Sequence, residues 1–183
     1  LTEAVAMLVA PPGSAITDMA GLKRATVGVV AGDTNQKIVS VLTKAYDLDR
    51  ANVTFKSLPL DQVRRALDAK EVRAVLLVTP LSEKYVSLVR GLFPQNPKSA
   101  PVLIPIENAG AIAEKETAYE SFDIPKGTLR GSPPVPADDV TTLKVAFYIV
   151  GKKSLDNDMI AGFTEAITRA RRDALAEFPV LAQ

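Results

Sequence analysis

The chain has 183 residues, of which 47% are hydrophobic, so it can bury a full core as one domain or as two small lobes. Its 22 basic and 21 acidic residues give a net charge of +1, which does not favour nucleic acid or a membrane surface as a partner. The absence of histidine and cysteine removes imidazole bases, thiol nucleophiles and the usual zinc, copper and haem ligands. We therefore expect no enzyme, and no catalytic residue, cofactor or metal.

The first half of the chain alternates apolar runs with segments of helical spacing, and proline and glycine mark their boundaries. In chain order, the pattern predicts strands at 4–9, 26–30, 53–58 and 74–78, and helices at 16–22, 35–46, 61–69 and 82–93. This order is typical of an α/β fold with a parallel sheet. The run 74–78 has no polar alternation, which indicates a strand covered on both faces.

The second half is predicted as a strand at 102–106, a helix at 109–120, a proline-rich loop at 123–139, a strand at 143–150 and a long helix at 156–177. In that last helix, apolar residues recur at helical spacing: Ile160, Phe163, Ile167, Ala170 and Ala174. We expect Phe163 and the three methionines to lie in the core. No run of about 20 apolar residues is present that would span a bilayer.

The turn after the strand at 26–30 is the most informative local feature. Its small polar residues precede a helix whose first amides are free to hold a carboxylate or phosphate. Ligands of open α/β sheets bind outside the carboxyl ends of the strands, so segments 32–36 and 79–82 should face one crevice if their strands are neighbours. The candidate ligand-binding residues here are Gly32, Asp33, Thr34, Asn35, Gln36 and Thr79.

Each of these residues also has an ordinary structural explanation. Thr34 and Asn35 are of types that cap helices and form turns routinely, and this role does not exclude ligand contact. Asp33 would repel an anion and could face an amine instead. Thr79 either ends its strand or donates a hydroxyl to the crevice. Arg130 could pair with a ligand carboxylate, although an arginine in a long loop is more often a solvated charge.

Three stretches carry a resemblance to a known family: GLKRATVGVVAGDTNQK (21–37), DQVRRALDAKEVRAVLLVTP (61–80) and FDIPKGTLRGSPPVPADDVTTLKVAFYIVGKKSLDNDMI (122–160). Together they resemble the TAXI-type solute receptors of TRAP transporters, which are periplasmic binding proteins of the second structural class. The resemblance includes the phrase before the first strand of lobe two, the loop after that strand, and a proline-rich phrase before the strand that returns to lobe one.

The resemblance implies that residues 10–140 form ligand-binding lobe two, and that 1–9 and 141–183 form a crossover strand and C-terminal helix of the other lobe. It implies capture of a small organic anion or amino acid between two lobes, without chemistry on it. The implied partners are TRAP membrane subunits, in the periplasm or at a membrane facing it. The family's glycine-serine loop is replaced by 32–35 and an acidic residue by Arg73, which implies a different ligand from the usual acidic amino acids and dicarboxylates.

We expect the sequence to be an excised fragment, because it opens on Leu1 rather than methionine and leads into the apolar stretch 4–9. The resemblance implies that most of lobe one is missing. An exposed apolar edge could then cause self-association. The alternative is the small-molecule sensor domain of a LysR-type transcriptional regulator, which has the same two-lobed architecture. An enzyme on the same lobes is a third reading, against which the lack of histidine and cysteine argues.

Overall fold

The structure is a computed structural model that describes residues 2–32, 35–93, 100–148 and 150–177. The described strands are β1 (Thr2–Ala10), β2 (Thr26–Val30), β3 (Thr54–Leu58), β4 (Ala74–Thr79), β5 (Val102–Leu103), β6 (Tyr119–Ile124), β7 (Arg130–Gly131), β8 (Pro134–Val135) and β9 (Val140–Phe147). The described helices are α1 (Gln36–Tyr46), α2 (Leu60–Asp68), α3 (Glu83–Gly91), α4 (Ala109–Ala113) and α5 (Asn157–Glu177), with a short 3-10 helix at Ala20–Leu22.

The main sheet has the strand order β3-β2-β4-β1-β9-β6, and β5 also pairs with β1. β2 is parallel to β3 and to β4, whereas β1 runs antiparallel to β4, β5 and β9, and β6 runs antiparallel to β9. The sheet is therefore mixed, with a parallel half and an antiparallel half. Helices flank it, and the α/β class predicted from the sequence is confirmed.

β1 lies in the middle of this sheet, between β4 and β9. All of its residues from Ala4 to Ala10 are buried, because their side chains alternate between two covered faces. The structure thus includes residues 2–10 and 140–147 in the same sheet as β2, β3 and β4. The predicted division, which assigned 1–9 and 141–183 to another lobe, crosses this continuous hydrogen-bonded sheet, and how the whole protein divides into lobes stays a prediction.

Two hydrophobic clusters cover the two faces of the sheet. On one face, α1 and α4 supply Leu42 and Ile112 to a cluster with Leu8 and Leu76. On the other, α2 and α3 supply apolar side chains such as Val63 to a second cluster. Since successive residues of a strand point to opposite faces, each buried strand contributes to both clusters.

The segment after α4 differs most from the sequence prediction. The helix predicted at 109–120 ends at Ala113, and Tyr119–Ile124 forms strand β6, which the sequence analysis does not predict. The pairing of β6 with β9 buries Tyr119 and Ile124 at its two ends, and this burial outweighs local helix preference. Within the predicted loop 123–139, β7 and β8 form a small antiparallel hairpin.

Residues 157–170 of the C-terminal helix have no cover from the described part of the chain. Met7 and Met19 lie in the core as expected, but Met159 is 61% and Phe163 57% exposed, so the core assignment is wrong for these two. The reason is that every residue from 151 to 170 is exposed in the structure. The strand predicted at 143–150 ends as β9 at Phe147, and residue 149 lies outside the described residues.

Among the described residues, none of the helices combines the length and the apolar character needed to cross a membrane.

Candidate functional site

The carboxyl ends of β2 and β4 lie side by side. Val27 is paired with Ala74 and Val29 with Leu76, in parallel register. Three residues beyond Val29 and Leu76 are Gly32 and Thr79, so the loops that follow the two strands start at the same level of the same sheet edge. The adjacency of these strands, on which the predicted crevice depends, is confirmed.

The turn after β2 is shaped by close packing. Ala31 has a φ of 52°, in the left-handed region that favours glycine. Gly32 lies against β3, where an added Cβ would be 2.3 Å from the Oγ of Ser57. Any larger side chain at this position would therefore displace the neighbouring strand or the turn.

Asn35 fixes the same turn from its other end. It is only 8% exposed, and its Nδ2 donates to the carbonyl oxygen of Val30 at 2.7 Å. Its side chain makes no capping bond to α1 although it holds the N-cap position. The side-chain contacts of Asn35 therefore show a role in forming the turn, and they do not show helix capping.

Asp33 and Thr34 lie outside the described residues. Gln36 is exposed as the first residue of α1, and the amides of a first helical turn have no partner within their helix. The start of α1 therefore offers hydrogen-bond donors and partial positive charge at the sheet edge.

Two buried hydroxyls stand at the end of β4. The Oγ1 of Thr79 and the Oγ of Ser82 are shielded from solvent and have no hydrogen-bond partner among the residues that the structure describes. Ser82 is the N-cap residue of α3, yet its side chain makes no capping bond. An unsatisfied buried polar group costs about 1–3 kcal/mol, so this pair requires a physical explanation.

The sequence places Ser82 inside segment 79–82 but does not single it out. A serine directly before a helix ordinarily satisfies a first-turn amide, and nothing in the residue pattern shows that this bond is missing. Its carbonyl oxygen does accept from the amides of Tyr85 and Val86, at 3.0 and 2.9 Å. That the Ser82 hydroxyl lacks a partner follows only from the orientation of its side chain.

The first turn of α3 also carries an exposed carboxylate that is already engaged. Glu83 accepts from the hydroxyl of Ser87 at 3.0 Å and from the guanidinium of Arg90. These bonds, first that of Ser87 and then that of Arg90, hold the pKa of the Glu83 carboxyl below its usual value. Glu83 is therefore committed within its own helix.

The chain reaches and leaves the sheet at this same edge. Val5 of β1 is paired with Thr79, and Thr2 of β1 is paired with Phe147 of β9. The amino end of β1 and the carboxyl end of β9 thus lie at the edge where the loops after β2 and β4 start.

A charged cluster neighbours these strand ends. The Nζ of Lys144 lies 3.1 Å from a carboxylate oxygen of Glu120 and 3.2 Å from one of Glu3. Hydrogen bonds to Glu120 and then Glu3 raise the pKa of Lys144. The cluster joins β1, β6 and β9 across the antiparallel half of the sheet.

Arg130 is placed elsewhere. β6 runs from Tyr119 to Ile124, where it is paired with Val140 at the start of β9, away from the edge that holds Thr79. Arg130 follows in hairpin β7–β8, and its Nε donates to the carbonyl oxygen of Pro133 at 3.0 Å. The structure brings Gly32, Asn35, Gln36 and Thr79 to one edge, whereas Arg130 lies in a hairpin between strands that end and begin at the opposite edge.

The groups at this edge can hold a polar ligand. Hydroxyl groups and helix amides can hold a carboxylate or an ammonium group. Within the described residues, no three acidic side chains come together as a metal site would require. The chain has neither histidine nor cysteine, so imidazole and thiol groups are absent from this edge.

Comparison with known proteins gives similarity to solved structures only. No protein-family model matches the chain, and neither does any curated protein. An arginine 3rd transport system periplasmic binding protein from Legionella pneumophila is similar over 56% of this chain and 42% of its own, with a TM-score of 0.40 and 18% identity. An ancestral arginine-binding protein bound to arginine is similar over 56% and 41%, with a TM-score of 0.38 and 25% identity.

A third similar structure extends over more of the chain. The substrate binding protein of an amino acid ABC transporter is similar over 98% of this chain and 57% of its own, with a TM-score of 0.43 and 12% identity. The chain thus spans about half the length of the solved structures it matches.

Proposed function

We propose that this chain is a ligand-binding lobe of a solute-binding receptor, which captures a small organic anion or an amino acid at the edge formed by the loops after β2 and β4. The observation that carries the proposal is the pair of buried, unpartnered hydroxyls of Thr79 and Ser82 at that edge. Burial without a partner is costly, and a rotation about χ1 that turns the two hydroxyls toward a polar ligand would supply the missing hydrogen bonds.

The surroundings of the two hydroxyls suit such a ligand. Each hydroxyl can donate to a carboxylate or accept from an ammonium group. The first turns of α1 and α3 add free amides and partial positive charge, which favour an anionic group. Asp33, Thr34 and Arg130 stay predicted ligand contacts, and only Asp33 would favour a cationic group.

The passage of the chain at this edge supports a two-lobed receptor. Both β1 and β9 reach the sheet beside the candidate site, so a second lobe connected through them would face the same loops. A ligand held between two lobes stabilises the closed arrangement by its contacts with both. In this proposal the receptor performs no chemistry on the ligand.

The finer assignment is a TAXI-type receptor of a TRAP transport system. It is supported by the resemblance of segments 21–37, 61–80 and 122–160 to that family. On this proposal the receptor works in the periplasm, free or anchored to the membrane, and presents its solute to TRAP membrane subunits.

A thermal-shift screen against amino acids and small carboxylates tests the proposal. A ligand at 100 times its Kd stabilises the folded state by about 2.7 kcal/mol, which raises the Tm of a chain of this size by roughly 5–10 °C. The variant Thr79→Val/Ser82→Ala should lose this shift. Ser87→Ala is the matched control, because it removes an exposed hydroxyl from the same helix α3.

The two hydroxyl deletions should separate binding from stability. Removing an unsatisfied buried hydroxyl relieves its desolvation cost, so the unliganded double variant should be at least as stable as the parent protein. Absence of a shift with every compound, or an undiminished shift in the double variant, would contradict the proposed site.

A further inference from the structure

A second concave feature lies between α1 and α4, on the face of the sheet that these helices cover. It is a groove of about 230 Å³ whose apolar lining includes Val41, Ala45, Ala111 and Ile112. It is separate from the candidate site at the sheet edge. Lys44 also lines the groove. It follows Asn35 of the candidate site by nine residues, which places the groove about 13 Å further along the helix at 1.5 Å per residue.

Contacts join the two helices at both ends of the groove. At one end, the amide of Asn108 donates to the phenol oxygen of Tyr46 at 2.8 Å. At the other, the Nζ of Lys37 lies 3.9 Å from a carboxylate oxygen of Glu116. The groove is therefore formed by the two helices without a ligand, which is usual for small-molecule sites.

The charge of the groove is positive. Lys44 and Lys115 line it, and both are exposed. Across the residues that the structure describes, neither lysine forms an ion pair. The carboxylate of Glu116, which also lines the groove, is already shared with Lys37. Two ammonium groups thus stand beside an apolar floor without an ion-pair partner among the described residues.

We propose that this groove binds a small organic anion, whose carboxylate lies between Lys44 and Lys115 and whose short alkyl chain covers Val41 and Ile112. A lysine ammonium is a compact charge on a flexible stem, so it suits a single carboxylate approached from either side. Exposed ion pairs contribute little on their own, and the apolar floor is therefore needed as well. This site is independent of the proposed receptor function.

The test is an amide chemical-shift titration of the protein with hexanoate, with hexan-1-ol as the uncharged probe of the same chain length. Hexanoate should shift the amides of Ala45, Ala111 and Ile112, and hexan-1-ol should bind clearly more weakly. Lys44→Gln/Lys115→Gln should weaken hexanoate binding by about twofold to thirtyfold, the range that two exposed ion pairs supply. Lys152→Gln/Lys153→Gln, which removes two exposed lysines from the segment before α5, should leave it unchanged.

Several results would overturn the proposal. These are equal binding of hexanoate and hexan-1-ol, shifts that map outside the groove, and unchanged affinity in Lys44→Gln/Lys115→Gln. A response to an acidic peptide with none to hexanoate would make this face a protein-docking surface instead. Because the variants replace exposed side chains, an unchanged Tm in each of them confirms that altered binding is not altered folding.

Discussion

Helices α1 and α5 have the same spacing of apolar residues but differ in how far these residues are buried. Both carry apolar residues three and four positions apart. In α1 these residues, among them Ile38 and Leu42, are buried against the sheet, whereas in α5 Ile160 is 44% and Phe163 57% exposed. Periodicity predicts an amphipathic helix, but it does not predict which surface covers the apolar side.

The difference indicates that α1 contributes to the stability of the described fold and that residues 157–170 of α5 contribute little. α1 is tied to the body by Leu42 in the core and by the bond between Tyr46 and Asn108. The side chains of α5 from residue 157 to 170 lie in solvent. In the proposed receptor, the second lobe would cover this helix.

The largest expected effect comes from removing a core side chain of α1. Leu42→Ala deletes a side chain that is 1% exposed and should lower the free energy of unfolding by about 2–5 kcal/mol. Phe163→Ala in α5 should change it by less than about 0.5 kcal/mol, because no cavity forms. Urea denaturation measures both. A loss above about 1 kcal/mol for Phe163→Ala would mean that α5 is covered after all.

A pair of glycines sharpens the comparison. Gly32→Ala places a Cβ 2.3 Å from the Oγ of Ser57 and should cost about 1–3 kcal/mol. Gly162→Ala in α5 meets nothing within 4 Å and should raise helix content. Ser57→Gly should restore part of the stability lost in Gly32→Ala. Equal stability of the two single variants would show that the turn relaxes without cost.

Asn35 tests the turn itself. Asn35→Ala removes the bond to the Val30 carbonyl and should lower the free energy of unfolding by about 1 kcal/mol. Gln36→Ala, at the next and exposed position, should stay within about 0.5 kcal/mol. If both variants unfold at the parent urea midpoint, the Asn35 bond does not hold the turn.

The smallest effect concerns acid stability. A hydrogen bond from Lys56, and then its charge, lower the pKa of the Glu71 carboxyl. The stabilisation is therefore present above the unfolded pKa of about 4.3 and is lost as pH falls through the lower, folded value. Lys56→Gln should make the free energy of unfolding, measured by urea denaturation, depend slightly less on pH in this acid range.

The control is the corresponding ion pair of α5. A guanidinium nitrogen of Arg169 lies 2.8 Å from a carboxylate oxygen of Glu165 within that helix. Arg169→Gln should leave the free energy of unfolding of the sheet and its helices unchanged in the acid range. Equal flattening in both variants would indicate that the two regions unfold as one unit.

What the sequence predicts well is the parallel half of the sheet. Runs such as Ala74–Thr79 are apolar on both faces, and their order with helices permits few arrangements. β6 is missed because Glu120 and Asp123 interrupt its apolar residues, so its pairing with β9 has no clear local signal. The position of β1 between β4 and β9 depends on contacts far apart in sequence, which local patterns do not encode.

The sequence predicts the location of the candidate site but not its hydrogen bonds. Turn chemistry at 32–36 and the end of β4 identify the sheet edge, and the register of β2 and β4 brings the two together. The sequence does not show that Asn35 bonds Val30, or that the hydroxyls of Thr79 and Ser82 lack partners. These facts depend on side-chain orientation.

The most direct test is an amide chemical-shift titration with the compound that gives the largest thermal shift. The account predicts that the strongest changes fall on Gly32, Asn35, Thr79 and Ser82, and that they disappear in Thr79→Val/Ser82→Ala. Strong changes confined to the hairpin β7–β8 around Arg130, with none at the ends of β2 and β4, would contradict it.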